Sequence, residues 1–451
     1  MQQLLDDVAL KVKLLYRESV DPLADKFAFE KRPDEGEIAG APTVLFLGNH
    51  SSGKSTFINH LLGGSIQKTG LAPTDDAFTV LSFGASEEER DGQAVVSTPT
   101  LPYGGLRSFG PQFLSHFRVK LRPMPLLRDV QLIDSPGMID SPGEGSGGRG
   151  FDFAGAVRWF AERADVVLVF FDPEKPGTTG ETLQVFTKSL QGMDHKLLIV
   201  LNKMDQFQSL QDFARAYGAL CWNLGKVIPR KDLPLIFTTF VPVEGAAEPK
   251  LPTQDFVTSR DELIREVKRA PARRVDNLVT QLEEHGQRLL VHARVIDEAG
   301  RRLRRFRLKL WSMLIVAVLV AGLAGAITIE SQVRWWISAI VFGSAALLAY
   351  AGAFVIRGLV RSQGEQIIEG LTGVFEHLFA RELLVRDKVD DLHALWAKVQ
   401  PRVRQALEKV GILSFPSLSR EEREQLNLTL EKEVPELRRR LHRELGQSRS
   451  S

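Results

Sequence analysis

The fold is decided by one stretch, residues 48–56, which reads Gly48-Asn49-His50-Ser51-Ser52-Gly53-Lys54-Ser55-Thr56. A strand-like apolar run at residues 44–47 precedes it, and apolar residues at helical spacing follow it. This context predicts a phosphate-binding P-loop, in which backbone N–H groups point inward at phosphate oxygens. We expect all nine residues to contact a nucleoside triphosphate, with Lys54 on the β- and γ-phosphates and the Ser55 hydroxyl on Mg²⁺.

A second motif, Asp134-Ser135-Pro136-Gly137, follows the apolar run 130–133. An acidic residue at a strand end of this kind holds Mg²⁺ through water, so Asp134 is predicted to do so. The Gly137 N–H is predicted to contact the γ-phosphate. The glycine-rich stretch 143–150 behind it suggests a loop that the γ-phosphate orders, and an ordinary disordered loop is the alternative.

A third motif, Asn202-Lys203-Met204-Asp205, follows the apolar run 197–201. A carboxylate accepts hydrogen bonds only, and the guanine edge offers two donors, N1–H and N2–H₂, so Asp205 is predicted to read the base. Asn202 and Lys203 are predicted to brace this site against the P-loop. Adenine has no such donor pair, so the motif by itself favours GTP.

Thr74 and His50 are further catalytic candidates beside Lys54. Thr74 lies between the first two motifs and can ligate Mg²⁺ when a triphosphate is bound, whereas the alternative is a turn or helix-capping threonine. His50 lies inside the phosphate loop near the expected attacking water, which it can position, or it simply caps the loop. The site residues together predict a hydrolase that cleaves a triphosphate to the diphosphate.

The predicted fold class is α/β. Apolar runs such as 166–171 and 197–201 read as strands buried on both faces of a mainly parallel sheet. The sequence divides into an N-terminal helix and linker (1–40), a nucleotide-binding domain (41–250), a helical stalk (251–309), a transmembrane hairpin (310–356) and a C-terminal helical domain (357–451).

Two uncharged stretches, Leu310 to Ile329 and Trp335 to Ile356, carry the membrane prediction. Each is long enough to cross a hydrocarbon core of about 30 Å as a helix, and tryptophans lie near their ends. The alternative is a buried hairpin in a soluble core. Neither stretch holds an ionisable residue, which makes a transport path through them a weak hypothesis.

Charge sets the predicted orientation. Basic residues cluster at 301–309 before the first stretch, and Arg357 and Arg361 follow the second, so both soluble parts are expected in the cytoplasm. The net charge of +2 shows no overall nucleic-acid signature, and we expect no nucleic-acid partner. A single cysteine, Cys221, fits a reducing compartment.

The motifs in this order resemble the G domain of the dynamin superfamily, and the flanking sequence is similar to the EHD (EH-domain-containing) ATPases over roughly residues 8 to 296. The similar segments are Leu15-Tyr16-Arg17-Glu18, Pro22-Leu23, residues 73–78, residues 159–165, residues 217–227 and the stretch from Asp261 to Ala293.

The resemblance implies a dynamin-like NTPase that forms homo-oligomers through its G domain and shapes membranes. The resemblance implies that Lys54 and Ser55 bind phosphate and Mg²⁺ and that Thr74 is the first-switch metal ligand. It implies that Asp134 to Gly137 form the second-switch motif and Asn202 to Asp205 the base-recognition motif. It also implies a helical domain built from the N-terminal helix and segments after the G domain.

Two departures from the EHD pattern stand out. We expect no EH domain, and the predicted hairpin would take the place of reversible membrane attachment, an arrangement that resembles mitofusins and bacterial dynamin-like proteins. We therefore expect an integral membrane protein, with a bacterial inner membrane as the favoured location.

Two questions stay open at this point. The base motif argues for GTP, whereas the EHD resemblance argues for ATP. The motifs contain no obvious catalytic arginine or glutamine, so a nucleotide-switched membrane scaffold that binds a partner with little turnover is the alternative to a remodelling enzyme.

Overall fold

The structure is a computed structural model that describes residues 2–30, 38, 40–68, 76–99, 101–138, 149–174, 180–228, 234–243, 249–330, 335–384 and 386–447. Within these residues an eight-stranded sheet is flanked by helices. The strands are β1 (Thr43–Gly48), β2 (Phe78–Phe83), β3 (Glu88–Asp91), β4 (Phe117–Arg122), β5 (Gln131–Asp134), β6 (Val166–Phe171), β7 (Leu197–Leu201) and β8 (Ile236–Thr238).

The strand order is β3-β4-β2-β5-β1-β6-β7-β8. Strands β5, β1, β6, β7 and β8 run parallel, and β2 is parallel to β4. The antiparallel pairs are β2 with β5 and β3 with β4. The prediction of a mainly parallel α/β sheet is therefore confirmed, and the ends of β1, β5 and β7 that carry the three motifs share one edge.

The α-helices are α1 (Gln2–Leu15), α2 (Asp21–Lys26), α3 (Lys54–Leu62), α4 (Gly92–Ser97), α5 (Gly110–Ser115), α6 (Phe153–Arg163), α7 (Gly180–Gln184), α8 (Leu210–Val227), α9 (Gln254–Lys268), α10 (Ala270–Glu330), α11 (Trp335–Glu369), α12 (Leu371–Leu378), α13 (Arg386–Val410), α14 (Arg420–Leu428) and α15 (Val434–Gln447). Short 3₁₀ or π segments cover Tyr16–Val20, Gly104–Phe109, Pro125–Arg128, Val185–Ser189, Asp194–Lys196, Met204–Gln206, Ile412–Ser414 and Thr429–Glu433.

Strand β1 is buried on both faces, as its unbroken apolar run predicts. Val44 and Phe46 point into one core cluster with Phe57 and Ile58 of α3. Leu45 and Leu47 point into the core cluster on the other face of the sheet. Successive side chains of a strand alternate between faces, so a continuous apolar run needs a core on each side. This double burial fixes the position of the loop that follows β1.

The contacts divide the chain into two compact units. The first comprises residues 1–11, 33–278 and 441–451 and contains the sheet, and the second comprises residues 12–32 and 279–440. The second unit has its own core, in which Phe27 stacks on Phe415 and Phe375 stacks on Trp396. The five-part division made from the sequence stays a prediction.

Among the described residues, two helices are long and apolar enough to cross a membrane, α10 and α11. The most apolar 18-residue stretch of α10 has a mean hydropathy of 1.9, and that of α11 has 2.1. Of these stretches, 0% in α10 and 11% in α11 is buried within the protein. The two helices approach each other closely at one point, where a side chain at Gly352 would lie 2.5 Å from a methyl group of Leu314. Residues 331–334 of the predicted connecting loop lie outside the described residues.

Candidate nucleotide-binding site

The P-loop follows β1 directly and enters α3 at Lys54. Gly53 has a φ of 90°, and a side chain there would overlap the amide of Asn202, so only glycine fits. Gly48 is equally constrained, since a Cβ would lie 2.5 Å from the carbonyl oxygen of Phe170 on the neighbouring strand. Both glycines of the P-loop motif therefore lie where the backbone passes too close to a neighbouring residue for a side chain to fit.

Lys54 is buried and folds back over the loop. Its amine donates to the carbonyl oxygens of Gly48 at 3.1 Å and Asn49 at 3.4 Å. Burial lowers the pKa of this amine, and the nearby Asp134 carboxylate opposes the shift. Phosphate oxygens would take the place of these carbonyl partners and favour the charged amine.

Ser55 and Asp134 come together across the site although the sequence separates them by 79 positions. The Ser55 hydroxyl donates to Asp134 Oδ2 over 2.9 Å, and β5 ends at this aspartate beside β1. A hydroxyl and one carboxylate are hard oxygen ligands, and Mg²⁺ in nucleotide sites needs few protein ligands beyond phosphates and water. The pair thus fits the predicted Mg²⁺ site, and Thr74, the third predicted ligand, lies outside the described residues.

Backbone hydrogen bonds join the residue after the second motif to the P-loop. Met138 donates to the Gly48 carbonyl at 3.0 Å, and His50 donates its N–H to the Met138 carbonyl at 3.2 Å. A side chain at Gly137 would lie 2.7 Å from His50 Cα, so this glycine permits the close approach. The structure therefore places His50 and Gly137 side by side, as expected if both face the γ-phosphate. The glycine-rich residues 143, 145, 147 and 148 lie outside the described residues.

The third motif backs onto the P-loop through Asn202. Its amide donates to the Ser52 carbonyl at 3.0 Å and accepts from the Thr239 hydroxyl at 3.1 Å. Lys203 has a φ of 59° and pairs with Asp172 at 2.7 Å. Asn202 thus contacts the P-loop, whereas Lys203 contacts Asp172, which directly follows β6; the bracing role of both residues stays a prediction.

Asp205 is half-buried at the start of a short 3₁₀ turn. Burial raises the pKa of its carboxyl group, and Lys203 opposes this shift. Its own backbone N–H donates to the carboxylate, and among the described residues no side chain does, which leaves acceptor positions for donors on a base.

Three hydrogen-bonded pairs at the site have no signature in the sequence. Gln67 donates to Asp134 Oδ2 at 2.9 Å and accepts from Lys120 at 2.8 Å. The Thr182 hydroxyl of α7 donates to the Asn49 side chain at 2.7 Å. These residues lie far from the motifs along the chain, so spacing rules do not find them.

Arg149 is another residue that the motifs missed. Its guanidinium makes two bonds of 3.0 Å to Glu181 and one of 2.5 Å to the Gly137 carbonyl. Both charged side chains are nearly buried, with 10% and 5% exposure. The only hint in the sequence is its place at the end of the glycine-rich stretch.

Comparison with known proteins fits this geometry. Residues 44–100 match the family model described as the Dynamin family. This chain has a dynamin-type G domain. EH domain-containing protein 1 of Arabidopsis thaliana is 32% identical over 295 residues, covering 63% of this chain and 54% of the relative. EH domain-containing protein 1 of Homo sapiens is 35% identical over 232 residues, covering 50% and 43%.

The chain spans about half the length of the curated relatives it matches. A solved structure titled "An oligomerised bacterial dynamin pair provides a mechanism for the long range sensing and tethering of membranes" is 14% identical, with a TM-score of 0.37, and covers 97% of this chain and 79% of that one. At that TM-score the likeness carries no conclusion. The dynamin-type G domain and the similarity to EH domain-containing proteins rest on the sequence matches and the sheet.

Proposed function

We propose that this protein is a membrane-anchored, dynamin-like nucleoside triphosphatase that assembles on membranes and remodels or tethers them. The observation that carries the proposal is the meeting of Lys54, Ser55 and Asp134 at one edge of a dynamin-type sheet. The two exposed apolar helices α10 and α11 support the membrane part.

The proposed chemistry is positioning and charge neutralisation, without a covalent intermediate. Lys54 contacts the β- and γ-phosphates, and backbone N–H groups of residues 49–54 surround the phosphate oxygens. Ser55, Asp134 through water, and Thr74 of the first switch would hold the Mg²⁺, which would supply charge neutralisation at the β- and γ-phosphates. Gly137 donates its N–H to the γ-phosphate, and His50 positions the attacking water.

The base is proposed to lie against the third motif. Asn202 stabilises the adjacent P-loop by donating to the Ser52 carbonyl. Asp205 accepts from guanine N1–H and N2–H₂ if the nucleotide is GTP. ATP is the alternative, and Asp205 would then have a different role. Competition between GTP and ATP for the purified protein, with Mg²⁺ present, distinguishes them.

The apolar helices are proposed to form a membrane hairpin with both soluble units on the cytoplasmic face of a bacterial inner membrane. Their lack of internal burial argues against a soluble core hairpin, because a core helix of this hydropathy would be covered by protein. The basic residues at 301–309 and Arg357 lie at the same end of the hairpin, as the positive-inside rule requires.

Reconstitution in liposomes tests the whole proposal. We expect phosphate release from GTP or ATP, nucleotide-dependent self-assembly through the G domain, and tubulated, constricted or clustered vesicles in electron micrographs. Lys54→Ala should abolish all three while leaving the protein inserted. A wild-type protein that binds nucleotide but never changes vesicle shape or contact would contradict the remodelling function.

A nucleotide-switched scaffold is the second candidate, since no arginine or glutamine lies within the three motifs. In that case a variant that binds triphosphate without hydrolysing it would still support function in cells. Loss of function in such a variant would support the hydrolysing enzyme over the scaffold. Arg149, nearly buried beside the second motif, is the residue to substitute first.

A further inference from the structure

Gln67 and Lys120 form a buried chain of hydrogen bonds that ends on Asp134. Lys120 of β4 donates to Gln67 Oε1 at 2.8 Å, and Gln67 Nε2 donates to Asp134 Oδ2 at 2.9 Å. All three side chains are at most 6% exposed. Each polar group therefore needs its partner, because an unpaired polar group at this depth is costly.

The direction of the chain is fixed by its first member. An ammonium group donates hydrogen bonds and accepts none, so the amide oxygen of Gln67 must face Lys120. The amide nitrogen then faces the carboxylate and can only donate to it. Lys120 thus determines which end of the Gln67 amide meets Asp134.

We propose that Gln67, oriented by Lys120, is a positioning residue that holds the Asp134 carboxylate for the Mg²⁺ of a bound nucleotide. The inference rests on the proposed function, since it concerns the same site. Asp134 Oδ2 accepts from Gln67 and from Ser55 together, which fixes the plane of the carboxylate relative to the serine oxygen that ligates the ion. Groups that orient a metal ligand in this way affect metal affinity about 10- to 100-fold.

Lys120 contributes to this arrangement through the Gln67 amide, whose orientation its ammonium fixes. The residue lies on β4, two strands away from β5 in the sheet, and its ammonium donates to the Gln67 amide that faces the site. We therefore expect the two residues to act in series.

The test measures the Mg²⁺ requirement for nucleotide binding by the full-length protein in detergent. Fluorescent N-methylanthraniloyl GTP and ATP are titrated against wild type, and the one that binds is used for all variants. Gln67→Leu should raise the Mg²⁺ concentration for half-maximal triphosphate binding about tenfold. Binding of the diphosphate in EDTA should stay unchanged, since no metal is involved.

Gln131→Leu is the matched control. It is the same substitution on β5, three residues before Asp134, but its amide contacts Tyr103 and Ser82 instead. We expect a wild-type Mg²⁺ requirement for it. Mn²⁺ binding followed by electron paramagnetic resonance gives the same comparison without fluorescence.

Lys120→Met keeps the aliphatic stem and provides a second, independent variant if Gln67→Leu does not fold. It should shift the Mg²⁺ requirement in the same direction, and the double variant should shift it no further than Gln67→Leu alone. An unchanged requirement in folded Gln67→Leu, or full additivity of the two changes, overturns the inference. Failure of wild type to bind either nucleotide would instead overturn the proposed function.

Discussion

Arg149 and Glu181 form a nearly buried, two-bond ion pair, and the same guanidinium donates to the carbonyl of Gly137. The pair therefore connects α7 to the second motif, whose glycine N–H is proposed to meet the γ-phosphate. Planar guanidinium groups suit this arrangement, because their fixed fork satisfies a carboxylate and leaves further donors.

Arg149→Ala should lower the turnover number about 10²-fold, because misplacing the second motif relative to the γ-phosphate costs roughly that much. Diphosphate affinity should change little. Steady-state phosphate release and fluorescent diphosphate binding measure the two quantities.

Arg158→Ala is the control for Arg149→Ala, since it removes an exposed pair with Glu162 in the same unit. It should leave turnover at the wild-type value. If folded Arg149→Ala also hydrolyses at the wild-type rate, the pair has a purely structural role. Thermal unfolding of both variants establishes whether the first remains folded, since breaking a buried pair costs about 3–5 kcal/mol.

Lys54→Ala should weaken triphosphate binding at least about tenfold, because a charge-assisted hydrogen bond to phosphate contributes roughly 1.5–3 kcal/mol. Equilibrium titration with the fluorescent triphosphate measures the loss. Lys226→Ala, which removes an amine lying over the exposed ring of Trp222, is the control and should bind normally. Equal affinity of both variants would rule out the phosphate role of Lys54.

Asp205→Asn should reduce GTP affinity about tenfold or more if the carboxylate accepts from guanine, since each such bond to a charged group contributes roughly 1.5–3 kcal/mol. Xanthosine triphosphate should gain affinity, because xanthine has a carbonyl where guanine has its amino group and the new amide can donate to it. ATP binding should not change. A variant that loses ATP and gains nothing for xanthosine triphosphate would contradict this reading of Asp205.

The second unit should lose stability in acid through two buried histidines. Burial lowers the pKa of His285 and of His292 to about 4, with smaller effects from Glu30, Arg288 and Arg402. Both rings are neutral in the folded unit, so the unfolded chain binds more protons once the pH falls below about 6.5. Stability is therefore full above that pH and falls toward pH 4, by up to about 1.4 kcal/mol per pH unit for each histidine.

Hydrogen–deuterium exchange at the amides of residues 279–300, corrected for the intrinsic pH dependence of exchange, measures this opening free energy. His285 lies edge-on to the rings of Tyr16 and Phe29, so His285→Phe keeps an aromatic ring in an aromatic site. The variant should roughly halve the slope below pH 6.5. A slope identical to wild type would show that His285 does not carry the acid sensitivity.

The hairpin predicts one labelling pattern. In a Cys221→Ser background, an impermeant maleimide added outside sealed cells should label Gln332→Cys, because that residue lies in the predicted connecting loop. Gln208→Cys, at an exposed position of the G domain, should stay unlabelled until the cells are opened. Labelling of both or of neither in sealed cells would contradict the orientation.

The strands and the P-loop were predictable because their signals are local. Residues 44–47 and 166–171 are apolar throughout, and double burial follows from that composition alone. The helix at 54–62 began where the loop motif placed its lysine. The roles assigned to the motif residues stay predictions, but their meeting at one edge of the sheet follows from the parallel order of the strands.

The sequence by itself determined a dynamin-type G domain, three motifs in the required order and two long apolar helices, because each depends on short-range spacing and composition. Only the tertiary structure placed Gln67 on Asp134 across 67 positions and Thr182 on Asn49 across 133. It likewise joined Arg149 to Glu181 beside Gly137. Side chains that orient a site act through space, and their positions depend on how strands and loops distant in sequence pack together.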